Sequence, residues 1–316
     1  MFASSCEGLN ISLEETADVW SFCYGDKMLK LDEKKIRKGK PVGLPYQGSK
    51  KKISKKIVEI IKQNFGTDKP IYDVFGGGGA ITAECVLNNM QVHYNDLDKE
   101  ITDMFQRVIS QDREWIKTLI VSREEFFEIK NKDTKTVDDN IKLLVNSFGN
   151  NKKTYLYSKE LSDMKYKLVI EIINKHDVFS GYKQTETYKQ YVDSLKNKQL
   201  QQLEQLGRLQ QLARLQQLEK LEATNLSYEA FSNIEVAIFY LDPPYENTGH
   251  IGYAGSFDSQ KFYDWAVDMS KKNIVIVSSY EISDDRFKCV YEFEKARSTM
   301  QNGGAGKKTE KLFMVV

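Results

Sequence analysis

The sequence predicts an α/β fold of the dinucleotide-binding type, with a long and largely helical insert in its middle. Three stretches carry that prediction. The first is a short β-type run, Pro70–Phe75, that leads into four glycines, Gly76–Gly79, then a helical stretch Ala80–Asn89, then a second strand, Val92–Asn95, closed by Asp96. Strand, glycine turn, helix, strand and acid is the order of the first unit of such a fold. The second is Val236–Leu241, β-branched and aromatic, too short for an ordinary helix, which stops on Asp242-Pro243-Pro244-Tyr245. The third is the end of the chain: a buried-type strand Asn273–Ser278, then Cys289–Phe293 and Leu312–Val316, whose connection Arg297–Lys308 permits an antiparallel pair.

The elements follow in order. Residues 1–40 carry no fold signal and form an unassigned N-terminal extension, with Gly39–Pro45 a loop. Lys51–Phe65 spaces Ile53, Ile57, Ile60 and Ile61 as a helix does, and Ser49 stands where a cap would. Its first turn is crowded with lysines, which the helix dipole disfavours. This basic turn suits a ligand and equally suits a solvated surface. Ile101–Lys130 is helical, with Met104, Phe105, Val108, Trp115, Ile116, Leu119 and Ile120 facing a core, and Asn131–Asn140 is a polar linker. Thr154–Tyr157 suits a short strand. Tyr155–Tyr191 mixes lysines with aromatics, as a nucleic-acid contact or a solvated helical insert would.

Leu200–Leu221 repeats leucine every third residue. On a straight α-helix such a row winds around the axis and makes no single face, so the stretch is expected to be a helical spacer or arm. Glu246–Ser256 is a glycine-rich loop able to close over a site. Asp258–Ser270 is a helix with Phe262, Trp265, Ala266 and Met269 inward.

Composition narrows the function. The 316 residues carry a net charge of +1, so bulk electrostatics do not announce a polyanion, although Lys27–Lys56 and Arg297–Lys311 are locally basic. Cys6, Cys23, Cys85 and Cys289 are scattered, as are His93, His176 and His250, which argues for a reduced, cytoplasmic compartment and no metal site. No apolar run approaches a membrane span.

The chemistry concentrates on Asp242-Pro243-Pro244-Tyr245. Neither proline donates to a ladder, and each fixes its own φ and restricts its predecessor. A carboxylate, a rigid arc of carbonyls and an aromatic ring suit a flat base with an exocyclic amine. The amine would give its hydrogens to Asp242 and a proline carbonyl while the base lies on Tyr245. Acceptors on both hydrogens free the nitrogen lone pair for attack. A plain proline turn after a strand has the same four letters. The glycine turn lacks the strict G-x-G-x-x-G of pyrophosphate binders. An adenosine ligand without pyrophosphate, such as S-adenosylmethionine, fits that departure, with Asp96 on its ribose.

Tyr46-x-Gly48-Ser49-Lys50, Asp73-x-Phe75-Gly76-Gly77-Gly78, Asn95-Asp96 and Asp242-Pro243-Pro244-Tyr245 together resemble the Dam-like class of DNA adenine-N6 methyltransferases. Ser147–Asn150, Ser278–Glu281 and Glu310–Phe313 also look like that family, over most of 41–316. The resemblance implies a Rossmann-like methyltransferase fold, S-adenosylmethionine as donor and adenine in double-stranded DNA as acceptor. It puts the catalytic domain at 41–103 and 232–316 and a target-recognition insert at 104–231. Carried over, Tyr46 and Lys50 line the cofactor pocket, and Asp73, Phe75, Gly76 and Gly78 form the loop beside the methionine part. Asp96 holds the ribose, Asp242 touches both cofactor and amine within the Asp242, Pro243, Pro244, Tyr245 catalytic set, and Tyr245 stacks on the flipped base. The chain is expected to act as a monomer, with a companion restriction endonuclease or with none. A methyltransferase for RNA or protein glutamine, or a silent DNA-binding relative, is the alternative; glutamine enzymes favour Asn where Asp242 stands.

Overall fold

The computed structural model describes residues 28–46, 49–194, 202–246, 257–294 and 309–316. Gln47–Gly48, the loop 247–256, the connection 297–308 and Leu200 lie outside them, as do Cys6, Cys23 and His250. In chain order the elements are α1 (Ser54–Phe65), β1 (Ile71–Asp73), α2 (Ala80–Leu87), β2 (Val92–Asn95), α3 (Lys99–Ile109), α4 (Arg113–Lys117), α5 (Arg123–Lys130) and α6 (Val137–Asn146). Next come α7 (Lys159–Lys175), α8 (Val178–Gly181), α9 (Glu186–Asp193), α10 (Glu204–Leu215) and β3 (Ala223–Thr224). The chain ends with β4 (Ile238–Leu241), α11 (Ser259–Ser270), β5 (Ile274–Ser279), β6 (Phe287–Glu292) and β7 (Lys311–Val315).

The seven strands form one sheet in the order β3-β2-β1-β4-β5-β7-β6. The first five run parallel, and β7 is antiparallel to both β5 and β6. The expected terminal pair is therefore β6 with β7, and β7 also joins β5. Ile238 and Tyr240 point into the core beneath α1 and α2, whereas Phe239 and Leu241 pack under α11. Burial on both faces explains the unbroken apolar run of β4. That strand starts at Ile238 because Val236 takes a left-handed φ of 58°. Strand order reverses between β1 and β4, so the glycine turn after β1 and Asp242 after β4 open into one crevice.

The segment Met28–Tyr46 is part of this body. Leu29 is buried and its N–H donates to Val290 on β6, Arg37 pairs with the buried Glu84, and Leu44 N–H donates to Gly78. Ala223–Thr224 likewise adds a strand to the sheet from within the range 104–231.

Three expectations are corrected. Thr154–Tyr157 is no strand; only one bridge, Ser147 to Tyr155, forms there. Tyr155, Leu156 and Tyr157 are all buried, so no alternation of inward and outward side chains exists, and Tyr155 OH donates to Val121 O. The aromatics Tyr155, Tyr157, Tyr182 and Tyr188 fill cores, which removes them from any base-stacking surface. The leucine array is no spacer. Leu203, Leu206, Leu209, Leu212 and Leu215 are 0% exposed and sit at the centre of the insert's core. Residues three apart on an α-helix lie about 300° apart around the axis, so the row spirals. Helices α4, α6, α8 and α3 surround α10 and each cover part of the spiral.

Candidate active site

Asp242 follows the last residue of β4, and its carboxylate is held by side chains from distant elements. Lys50 Nζ donates to both Asp242 oxygens at 2.7 Å and to Tyr245 OH at 2.5 Å. Tyr245 OH lies 2.6 Å from Glu310 Oε1 and 3.0 Å from Asp242 Oδ1. A phenol has one proton, and the shorter approach assigns it to Glu310. Ser278 Oγ donates to the same Glu310 oxygen at 2.7 Å. Lys50 Nζ is 3.8 Å from Glu310, so one ammonium serves two carboxylates. No cis peptide is present among the described residues, so Pro243 and Pro244 are trans, and the chain leaves the sheet at Leu241.

Local sequence explains how these groups arrive. Ser49 accepts from Lys51 N–H and starts a 3-10 turn, Lys50–Lys52, that precedes α1. Lys50, Lys51 and Lys52 thus occupy their own turn ahead of the helix, while Lys55 and Lys56 stay in its first turn. Glu310 stands immediately before β7, next to β5, which carries Ser278. Burial pushes the Asp242 carboxyl up and Glu310 adds to that, while Lys50 opposes both. Burial alone would lower the Lys50 ammonium, but the charges of Asp242 and Glu310 outweigh it and hold it above its ordinary value. The Tyr245 phenol is pushed well up by burial and by the same two carboxylates.

Across the crevice lies the glycine turn. Gly77 and Gly79 have φ of 48° and 69°, in the left-handed region that favours glycine. A Cβ at Gly76 would strike the Tyr94 ring, and one at Gly79 would strike Phe105. Tyr46 packs beside Gly77 and Gly78, and burial with nearby acids raises its phenol to about 12. Asp73 is buried at the end of β1 and accepts from Thr82 N–H at 3.1 Å and Thr82 Oγ1 at 2.6 Å. Burial raises it to about 7. Asp96 accepts from Gly77 N–H at 2.7 Å and from Asp98 N–H at 2.9 Å, and burial raises it to about 6.

The structure brings Lys50, Asp242 and Tyr245 into direct contact and groups Tyr46, Gly76, Gly78 and Asp96 around the turn. Phe75 instead joins an aromatic cluster with Tyr228, Phe257 and Phe262. Lys50, expected on the cofactor, has its ammonium on Asp242. Tyr245 meets Tyr280 edge-on at 4.7 Å between ring centres. Beside them opens a cavity of about 290 Å³ lined by Tyr245, Glu246, Tyr280, Glu281 and Ile282 among others. Sequence reasoning gave neither Glu310 nor Ser278 a role in the site, although each opens a stretch that resembles the family. The available signal was one acid opening the apolar strand Leu312–Val316. Leu97 and Leu226 were also missed; they are 64% and 46% exposed and flank Asp96, to which Asn225 is bonded.

A model of the D12 class N6 adenine-specific DNA methyltransferases matches residues 46–298. The chain belongs to that family. The sheet of this D12 methyltransferase, parallel but for β7, is the fold of S-adenosylmethionine-dependent methyltransferases, and its reaction class is N6-adenine methylation of DNA. Among solved structures, the rRNA methyltransferase aviRa from Streptomyces viridochromogenes at 1.5 Å is similar, with 12% identity, 83% of this chain and 84% of that chain covered, and a TM-score of 0.33. A second structure of that enzyme, at 2.4 Å, gives 10% identity over the same shares and a TM-score of 0.32. No curated protein matches this chain. Among the described residues of this D12 methyltransferase, no helix is long and apolar enough to cross a membrane.

Proposed function

We propose that this enzyme is a site-specific methyltransferase that moves the methyl group of S-adenosylmethionine to the exocyclic amine of an adenine flipped out of double-stranded DNA. One observation carries the reading: a carboxylate fixed by a buried ammonium stands at the mouth of the β1/β4 crevice, on a rigid proline arc, beside a cavity with an aromatic wall. The cavity volume is at the low end of ligand pockets, which suits one base.

The residues around the glycine turn fit the cofactor. Asp96 supplies an acceptor for ribose hydroxyls, and exposed Leu97 and Leu226 beside it offer apolar faces to a purine. When bound, S-adenosylmethionine supplies an electrophilic methyl on a sulfonium. Tyr46, Gly76, Gly78 and Asp73 would border its amino-acid end. Asp242 and a proline carbonyl take the two hydrogens of the adenine amine and turn its lone pair towards the crevice. Tyr245 bounds the face of the base. The amine nitrogen forms the new bond itself, so no enzyme nucleophile is needed, and positioning with desolvation supplies most of the acceleration. The surplus proton leaves the amine after transfer, and Asp242 is its nearest acceptor.

Lys50 and Glu310 act through Asp242 and Tyr245. Lys50 keeps Asp242 ionised against its burial, and Glu310 orients the Tyr245 hydroxyl. The helices between α3 and β3 form the target-recognition insert. Purified protein with labelled S-adenosylmethionine and duplex DNA, RNA or protein tests the reading. Label in N6-methyladenine of duplex DNA is expected; label confined to RNA or to glutamine, or no transfer at all, overturns it.

A further inference from the structure

Outside the Asp242 network, one half-buried group of cations keeps donors that the fold leaves unpaired. It comprises Lys51, in the turn that carries Lys50, and Arg208 and Arg214 on α10. The leucine spiral fixes α10, and Gln211 Nε2 donates to Gly43 O at 2.5 Å. That bond lays the helix against Gly43, whose added Cβ would lie 3.2 Å from Lys51 Cγ. Arg208 is 11% exposed at its side chain; its Nη1 donates to Val145 O at 2.5 Å and Ser147 O at 2.7 Å, while its Nη2 has only Glu204 at 3.7 Å. Arg214 Nε is buried with no hydrogen-bond partner. Among the described residues neither Lys51 Nζ nor Arg214 has an ion pair. Arg208 and Arg214 stand three residues to either side of Gln211 on α10, and of the three cations Arg208 alone has an acid nearby, Glu204, itself 51% exposed.

Such an arrangement costs stability in the free protein. Burial first, and the charges of Arg208 and Arg214 next, bring the Lys51 ammonium down to about 8. An arriving anion relieves both effects. Its chemistry follows from the set. A guanidinium presents a planar fork that matches phosphate oxygens, and the ammonium adds a point charge. The amino-acid end of S-adenosylmethionine is a poor fit, because its own ammonium and sulfonium would face three cations. A phosphodiester carries negative charge alone.

We propose that Lys51, Arg208 and Arg214 form a clamp for a backbone phosphate of the DNA, bridging the recognition insert to the turn that holds Lys50. This rests on the reading of the chain as a DNA methyltransferase. The clamp reads no sequence. It sets the register of the duplex one residue away from the ammonium on Asp242.

The test uses the full chain and a mixed-sequence duplex, with binding followed by fluorescence anisotropy over a range of salt. Each phosphate contact contributes roughly 0.9 to the slope of log affinity against log salt. Lys51→Gln and Arg214→Gln should each lower the slope by about that amount and weaken all duplexes alike, whereas Arg214→Lys should keep the wild-type slope. S-adenosylmethionine affinity should not change in any of them. Lys51→Gln, whose stem alone packs, serves if an arginine variant fails to fold. Wild-type slopes in the two neutral variants overturn the clamp while leaving the methyltransferase reading intact. Loss of cofactor affinity at an unchanged slope also overturns it, by assigning the cluster to the cofactor. A wild-type chain that binds no duplex at any salt overturns both.

Discussion

Replacing Lys50 by Met isolates the electrostatic logic of the site. Its Nζ makes two 2.7 Å bonds to Asp242 and a 2.5 Å bond to Tyr245, with Glu310 at 3.8 Å. The three charged side chains are 13%, 16% and 14% exposed. The Lys50→Met variant would leave two buried carboxylates bridged by one phenol, and both cannot stay ionised there. Removing one partner of a buried pair costs about 3–5 kcal/mol. At about 2–4 °C per kcal/mol for a domain of this class, the midpoint of thermal unfolding should fall by roughly 6–20 °C at neutral pH. The pH dependence has a definite sign. Without Lys50 the Asp242 carboxyl rises further above its unfolded value. The folded state then binds more protons than the unfolded one between those two values, and stability falls as pH rises through that window. The variant should therefore lie closest to wild type in acid and furthest from it above neutrality. Single-turnover transfer at pH 7 should drop roughly ten- to two-hundred-fold, the equivalent of one hydrogen bond to a charged group, and recover in part as pH is raised. Calorimetry and quench-flow from pH 5 to 9 measure both. An equal loss of stability at every pH, or a transfer rate that ignores pH, would refute the pairing as the reason for Lys50.

Other outcomes follow from single contacts. Leu209→Ala should cost about 2–5 kcal/mol in denaturant unfolding, because Leu209 is 0% exposed; a cost near zero would restore the spacer reading. Burial holds the Asp96 carboxyl up, to about 6, so S-adenosylmethionine affinity should tighten as pH rises through 6, and Asp96→Asn should abolish that dependence in calorimetric titrations. The same carboxyl, raised from 3.8 to about 6, withholds on the order of 3 kcal/mol of stability above pH 6, and Asp96→Asn should flatten the fall in stability between pH 4 and 6. Tyr245→Ala should lose a stacking surface worth about 1–3 kcal/mol and be partly rescued by a mismatch at the target base. Equal rates for that variant on matched and mismatched duplexes would remove Tyr245 from the base-binding role.

The sheet was legible because its signals are local. The strand before the glycines, the β2 run Val92–Asn95 and the apolar run before Asp242 each declare themselves within a few residues. What the sequence alone hid is pairing across the fold. Lys50 and Asp242 are 192 residues apart, and only the β1/β4 crossing brings them together. Glu310 opens a stretch that resembles the family, yet nothing local reveals that Ser278 and Tyr245 converge on it. Composition misled between 155 and 191 for a related reason. A lysine–tyrosine mixture describes a wet surface and a ringed core equally well until the partners of each ring are known. Lys165 shows the difference: its ammonium lies over the Tyr157 ring and donates to Gln202 O, inside the insert.

The leucine array shows where periodic reasoning needs a further premise. A helical wheel assumes one buried face, and a period of three has none. That conclusion is correct for a helix lying on a surface and fails for a helix enclosed by others. On α10 the leucines supply the apolar contacts in every direction, and the polar residues between them are equally committed. Gln205 reaches Asn146, Gln210 reaches Val178 O, Gln211 reaches Gly43 O, and Arg208 takes the carbonyls at the end of α6. Those carbonyls include groups that a helix terminus leaves without intrahelical partners. A low-complexity run of Leu, Gln and Arg thus satisfies both needs of a buried helix, apolar contact all round and donors for its neighbours' exposed acceptors. Because one of those donors ends on Gly43, next to the glycine turn, the same helix joins the insert to the catalytic crevice. A shift of α10 would therefore move Arg208 and Arg214 relative to Lys50, which makes the array a fixed strut between DNA contact and chemistry.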